Sequence, residues 1–166
     1  MKSKASLLTV IFLVLTAFGW AGKPAVPEAL AEKIQRASSL LLDSEESGDK
    51  EQGFLLLVES IDLAAAGGSF PAGFRDEIRG ALDLIRRGSV LDLQAGEKLK
   101  KAYALLNEGK PFQMPADISG IDQAVEYGRA RIQSALAQVN AGKNADAVKP
   151  LLEVILMVIT PMEAQG

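Results

Sequence analysis

The chain has no histidine and no cysteine, and each absence closes off a chemistry. Without cysteine there is no disulfide, so a copy working in an oxidising compartment must hold together by packing alone. Nor can a lipid be attached to a cysteine after the N-terminal apolar run. Without histidine, a metal site would rest on carboxylates alone, and no Glu-x-x-His pair can form. Aromatic residues make up only 5% of the chain, and the one tryptophan is Trp20, which leaves few platforms for stacking bases or sugars. Basic charge is not in excess either. The formal net charge is −3, against nucleic acid as a partner, since phosphate binding needs a positive surface or a concentrated basic stripe.

What is present begins at the N-terminus. Lys2 and Lys4 precede an apolar run from Leu7 to Phe18, followed by Gly19-Trp20-Ala21. A basic start, a short apolar stretch and small residues at a cleavage site are the marks of a secretory signal peptide. The run falls short of the ~20 residues that a membrane span needs. The expected cut follows Ala21, with Gly22 next best; the alternative is an uncleaved N-terminal anchor. Residues 22–166 then form one helical domain of 145 residues carrying a net charge of −5, within the usual ~100–200 residues of a single domain. The expected location is periplasmic or extracellular, with no integral span after signal removal.

Apolar residues recur at spacings of three and four, which gathers them on one face of a helix. Leu30, Ile34, Ala37 and Leu41 form the first stripe, within 27–43. Phe54, Leu57, Val58, Ile61 and Ala65 form the second, and Phe74, Ile78, Ala81, Leu82 and Ile85 the third. The fourth runs through Leu93, Leu99, Ala102 and Leu106. Ile121, Val125, Gly128, Ile132, Ala135 and Val139 make the fifth, and a sixth helix ends at Pro161. Gly48 with Asp49 and Gln52, Gly88 with Ser89 and Asp92, and Gly142 with Asn144 each place a helix stop just before a capping side chain. Residues 66–71 and 108–115 are rich in helix breakers and separate three helix-turn-helix units. Pro71 suits a first helical turn, and Asp117 or Ser119 can cap the fifth helix. No segment alternates in the manner of a strand. The expected fold is all-α: six helices as three hairpins in a compact bundle.

The second helix of each hairpin carries small-x-x-x-Leu-x-x-small: Gly53, Leu57, Ser60; then Ala95, Leu99, Ala102; then Ala147, Leu151, Val154. This is similar to the second helix of a tetratricopeptide repeat and implies close helix packing, with a short open repeat as the alternative architecture. The first helices lack that family's aromatic, Leu-Gly and Tyr pattern, and the spacing between units drifts.

Motifs with chemistry are sparse. Residues 43–48 resemble the start of an EF-hand loop, but the eighth position is Lys50 and the twelfth, which must supply a bidentate carboxylate, is Phe54. A solvated acidic turn is expected instead. Ser47 and Lys50 match Ser-x-x-Lys by chance, without the other motifs of that chemistry. Arg75, Arg79 and Arg86, with Lys98, Lys100 and Lys101, could form a basic patch. Asp76, Glu77, Asp83 and Glu97 interleave with them at ordinary ion-pairing distance. Met114, Tyr103 and Tyr127 are the remaining conceivable haem ligands, and nothing else points to haem. No catalytic residue, metal or cofactor is expected.

The last helix is the most apolar. Val148, Leu151, Leu152, Ile155, Val158 and Ile159 share one face, while Val154, Leu156 and Met157 widen the apolar arc to roughly 260°. Those last three are the candidate interface residues. Pro150 either kinks this helix or marks its first turn. The expected function is that of an exported, non-enzymatic protein that binds another protein or itself. One alternative is a carrier holding a small apolar ligand between helices; another is a carboxylate-based hydrolase.

Overall fold

A computed structural model describes residues 28–88 and 92–161. Among these, six α-helices and no strand are found: α1 Leu30–Ser38, α2 Ser47–Ala65, α3 Phe74–Arg87, α4 Leu93–Leu106, α5 Ile121–Asn140 and α6 Val148–Ile159. The helices pair as the hairpins α1/α2, α3/α4 and α5/α6. Contacts also run from α2 to α3 and α6, from α1 to α5, and from α4 to α6. Two four-helix rings result, α2-α3-α4-α6 and α1-α2-α6-α5, which share the α2/α6 pair. An open repeat would leave the first and third hairpins apart. Here they touch through two helix pairs, and the bundle is closed.

The stripes explain the rings. Leu57, Ile61, Phe74, Ile78, Leu99, Leu151 and Ile155 are wholly buried in one contiguous core. The small residues sit where helices approach closely. A Cβ on Gly53 would lie 2.7 Å from the Leu41 nitrogen and 2.9 Å from the Ala37 oxygen, so α1 and α2 can cross there only over a glycine. Ser60 is buried, and its hydroxyl donates to the Leu56 carbonyl at 2.7 Å, which satisfies it one turn back.

Several helix ends differ from expectation. α1 stops being α-helical at Ser38 and continues as a π-helical turn, Ser39–Asp43. That wider turn lets consecutive leucines reach different neighbours. Leu40 and Leu41 lie over Gly53 of α2, while Leu42 reaches Gly128 of α5. α2 starts at Ser47, so Gly48 and Asp49 fall inside its first turn rather than before it. The Ser44 hydroxyl donates to Asp49 at 2.7 Å and accepts from the Glu46 N–H. Pro71 precedes α3, whose N-cap is Gly73 at φ 82°. Asp92 caps α4 by accepting from the N–H groups of Gln94 and Ala95; Ser89 lies outside the described residues. Gly120 is the N-cap of α5, and Gln123 reaches back to accept from the Ser119 N–H and hydroxyl. Gly142 ends α5 at φ 75°, as a left-handed C-terminal glycine does. A 3₁₀ turn, Asn144–Ala147, leads into α6. Pro150 therefore falls in the first turn of α6, where its missing N–H would have had no helical partner.

Candidate functional site

α6 occupies the place where the two rings meet, with α2, α4 and α5 around it. Val154 and Leu156 are therefore fully buried and Met157 is only 6% exposed. The expected interface at Val154, Leu156 and Met157 is corrected accordingly: Val154 and Leu156 are covered by the chain's own helices, and Met157 shows only a small part of its side chain, inside a groove. The apolar arc of this helix is wide because it is central.

Three other apolar residues, which periodicity assigns to the core, are exposed instead. Leu93 is 86% exposed, Ile121 70% and Val158 44%. All three border one groove of about 710 Å³. α4 and α5 begin at the same end of the bundle without touching each other, and α6 fills the space between them. At that end α6 finishes at Ile159, and the groove opens over its last turn. The floor is Leu41, Phe54 and Met157, all nearly buried. Leu42, Val125, Ile159 and Met114 form the walls. Gly96 of α4 and Ala124 of α5 also line it, and their small size keeps the space open. A Cβ on Gly96 would meet only the tip of Ile159 at 3.7 Å. The lip carries Lys50, Glu51, Glu97 and Lys100, all exposed. Glu97 pairs with Lys100 at 2.8 Å, and half-buried Asp92 is engaged as the α4 cap.

The other sequence motifs resolve into structural roles. The Asp43 carboxylate binds Arg129 of α5 at 2.6 Å rather than facing into its own turn, and the Asp49 carboxylate is held by Ser44. Among the described residues no three Asp or Glu side chains converge as a metal site would require. Ser47 and Lys50 are both exposed at the groove's lip, without the burial that activates such a pair. The six residues of the expected basic patch are ion-paired, mostly across helices rather than along their own. Asp62 of α2 holds Arg75 and Arg79, and Glu59 of α2 holds Arg86 and Lys33. Glu77 takes both Lys98 and Lys101. Burial pushes the Glu59 carboxyl up, but Arg86 and Lys33 outweigh it and leave it below the usual value. Lys101, with Lys98, holds Glu77 down against its partial burial.

Met114 lines the groove, whereas Tyr103 and Tyr127 do not. The tyrosines belong to a cluster between α4, α5 and α6. Arg131 bonds Glu153 at 3.1 Å and lies 4.9 Å above the Tyr127 ring, and Tyr103 packs edge-on against Phe112. Burial, followed by the Glu153 charge, pushes both phenols up from their ordinary 10.0. These are neutral, structural side chains at ordinary pH. The residues that sequence reasoning missed are the lip trio Leu93, Ile121 and Val158. Their only signal was position within the first or last turn of a helix, where a stripe can run past its neighbours.

No known protein family, curated protein or solved structure matches the chain.

Proposed function

We propose that the protein is a non-enzymatic binding protein whose working part is the groove between the starts of α2, α4 and α5 and the end of α6. The observation that carries this reading is the exposure of Leu93 and Ile121 on opposite banks of a concave apolar space. Each forgoes most of the ~1.5–3 kcal/mol that burial of such a side chain supplies. An apolar guest recovers that energy. The volume of about 710 Å³ lies in the range of about 300–1,000 Å³ usual for small-molecule sites. The charged lining residues stand at the mouth, so the floor offers no acid or base to a reacting group.

The test is a titration of the folded protein with the apolar fluorophore 1-anilinonaphthalene-8-sulfonate. One saturable site is expected, abolished by the double variant Leu93→Asp/Ile121→Asp. Both residues are exposed, so the thermal midpoint should barely move. Unaltered dye binding by a folded double variant refutes the groove as the site.

A second reading, with another protein or a second copy covering the lip, is favoured by the exposure of Leu93, 86%. In that case light scattering reports a dimer that the same double variant disperses. Either reading operates outside the cytoplasm if Lys2 to Ala21 acts as a signal. That segment lies outside the described residues; among those described, no helix is long and apolar enough to cross a membrane. The native protein is expected to begin at Gly22 or Lys23, and intact mass decides it; a full-length mass in the membrane fraction would establish the anchor.

A further inference from the structure

We infer that the groove takes a single aliphatic chain, the hydrocarbon tail of a lipid-like amphiphile, and leaves its polar head at the lip. The inference rests on the groove being the binding site. Three observations narrow the guest.

The first is the chemistry of the floor. Leu41, Phe54 and Met157 offer no hydrogen-bonding group, and the nearby Asp92 carboxylate is used by the α4 N-terminus. The part of a guest that reaches the floor must need no donor or acceptor. A sugar, a nucleotide or an extended peptide would bury unsatisfied polar groups at a cost of a few kcal/mol each. The second is shape. At about 710 Å³ the groove lies in the range of about 300–1,000 Å³ usual for small ligands. A flexible alkyl chain can follow it, and the Met157 thioether can adjust its rotamer to the chain's path.

The third is charge. Lys50 and Lys100 stand beside Glu51 and Glu97, with Lys100 and Glu97 joined at 2.8 Å. A lip of both signs neither attracts nor repels a head group of one sign strongly, and what remains is screened by salt. Recognition is therefore of the tail.

The experiment is calorimetric titration of the purified protein, below micellar concentrations, with three alkyl series of eight to fourteen carbons: carboxylates, phosphocholines and trimethylammonium salts. Binding is expected to tighten about fourfold per methylene in every series until the groove is full. At equal chain length the three heads should agree within about tenfold, with little change between low and high salt. Ala124→Phe, which fills the groove, should weaken the longest chains at least tenfold. Ile121→Asp, at a site too exposed to disturb packing, should weaken all three series, the carboxylates most because it adds a negative charge at the lip.

Binding that follows head charge and ignores chain length overturns the tail assignment while leaving the groove as a site, provided Ala124→Phe still blocks it. Chain-length dependence that survives both variants places the tail elsewhere and overturns the proposal. Absence of binding in all three series overturns it as well; a dimer dispersed by Ile121→Asp would then assign the groove to a second copy, and a monomer would remove the groove reading itself.

Discussion

Gly53 and Gly96 are both helical glycines, and their surroundings assign them opposite effects on substitution. In an isolated helix, alanine in place of glycine stabilises by about 1 kcal/mol. At Gly96 the added Cβ meets a side-chain tip at ordinary contact distance, so Gly96→Ala should raise stability by about 0.5–1 kcal/mol. At Gly53 it would strike the backbone of the π turn. Gly53→Ala should lower stability by about 1–3 kcal/mol, because α1 must be pushed off α2. Urea midpoints of the two variants decide this; equal shifts would mean that the α1/α2 crossing is looser than described.

Titration also belongs to single residues. Glu59 and Glu77 are held below their ordinary 4.5. Their ion pairs thus contribute stability that is fully present above about pH 4.5 and is lost as pH falls through the lowered values. Urea midpoints should drop as pH falls below about 4.5, and Glu77→Gln should flatten part of that drop while lowering the midpoint at pH 7. Tyr103 and Tyr127 act at the other limit. Their raised values protect the folded state up to about pH 10, and stability falls as pH rises through them, because the unfolded chain ionises first.

At the scale of the element, α6 is the helix whose surroundings sequence reasoning misjudged. A wheel separates Ile155 from Leu156 and Met157 as core from candidate interface, yet all three are inside. Leu156→Ala should therefore destabilise the monomer by about 2–5 kcal/mol, through lost transfer energy and the cavity left behind, with no change in mass by light scattering. Met157→Glu should damage the fold as Ile155→Glu does, because each places an unpaired charge among apolar side chains. A folded Met157→Glu variant with altered association would overturn this placement of α6. α4 offers a local contrast. Asp92→Ala removes two hydrogen bonds to its first turn and should cost about 1 kcal/mol, seen as faster hydrogen exchange at residues 94–96.

For the whole molecule, closure of the two rings around α2 and α6 predicts a single cooperative unfolding transition by circular dichroism and by tyrosine fluorescence together. The stability of that unit should not respond to calcium or to a chelator, since Asp43, which would open a calcium loop, is engaged by Arg129 and the twelfth position is Phe54. A rise of several degrees in the midpoint with calcium would overturn that assignment.

The all-α class, the six stripes, the hairpin pairing and the need for small residues in the second helices are legible in the chain's residues alone. These follow from local rules, since a 3.6-residue period, a capping side chain and a left-handed glycine such as Gly142 act within a few residues of one another. The tertiary structure alone decided three things. It closed the rings, because contact between the first and third hairpins depends on which stripes meet rather than on how each is spaced. It turned the chain at Ser39–Asp43 into a π turn, because Gly53 on another helix lets the backbone come that close. It also left Leu93, Ile121 and Val158 uncovered. Periodicity shows which residues share a face of a helix, but whether a neighbour extends far enough to cover that face depends on where other helices start and stop, and at this end of the bundle α4 and α5 stand apart while α6 comes to its end.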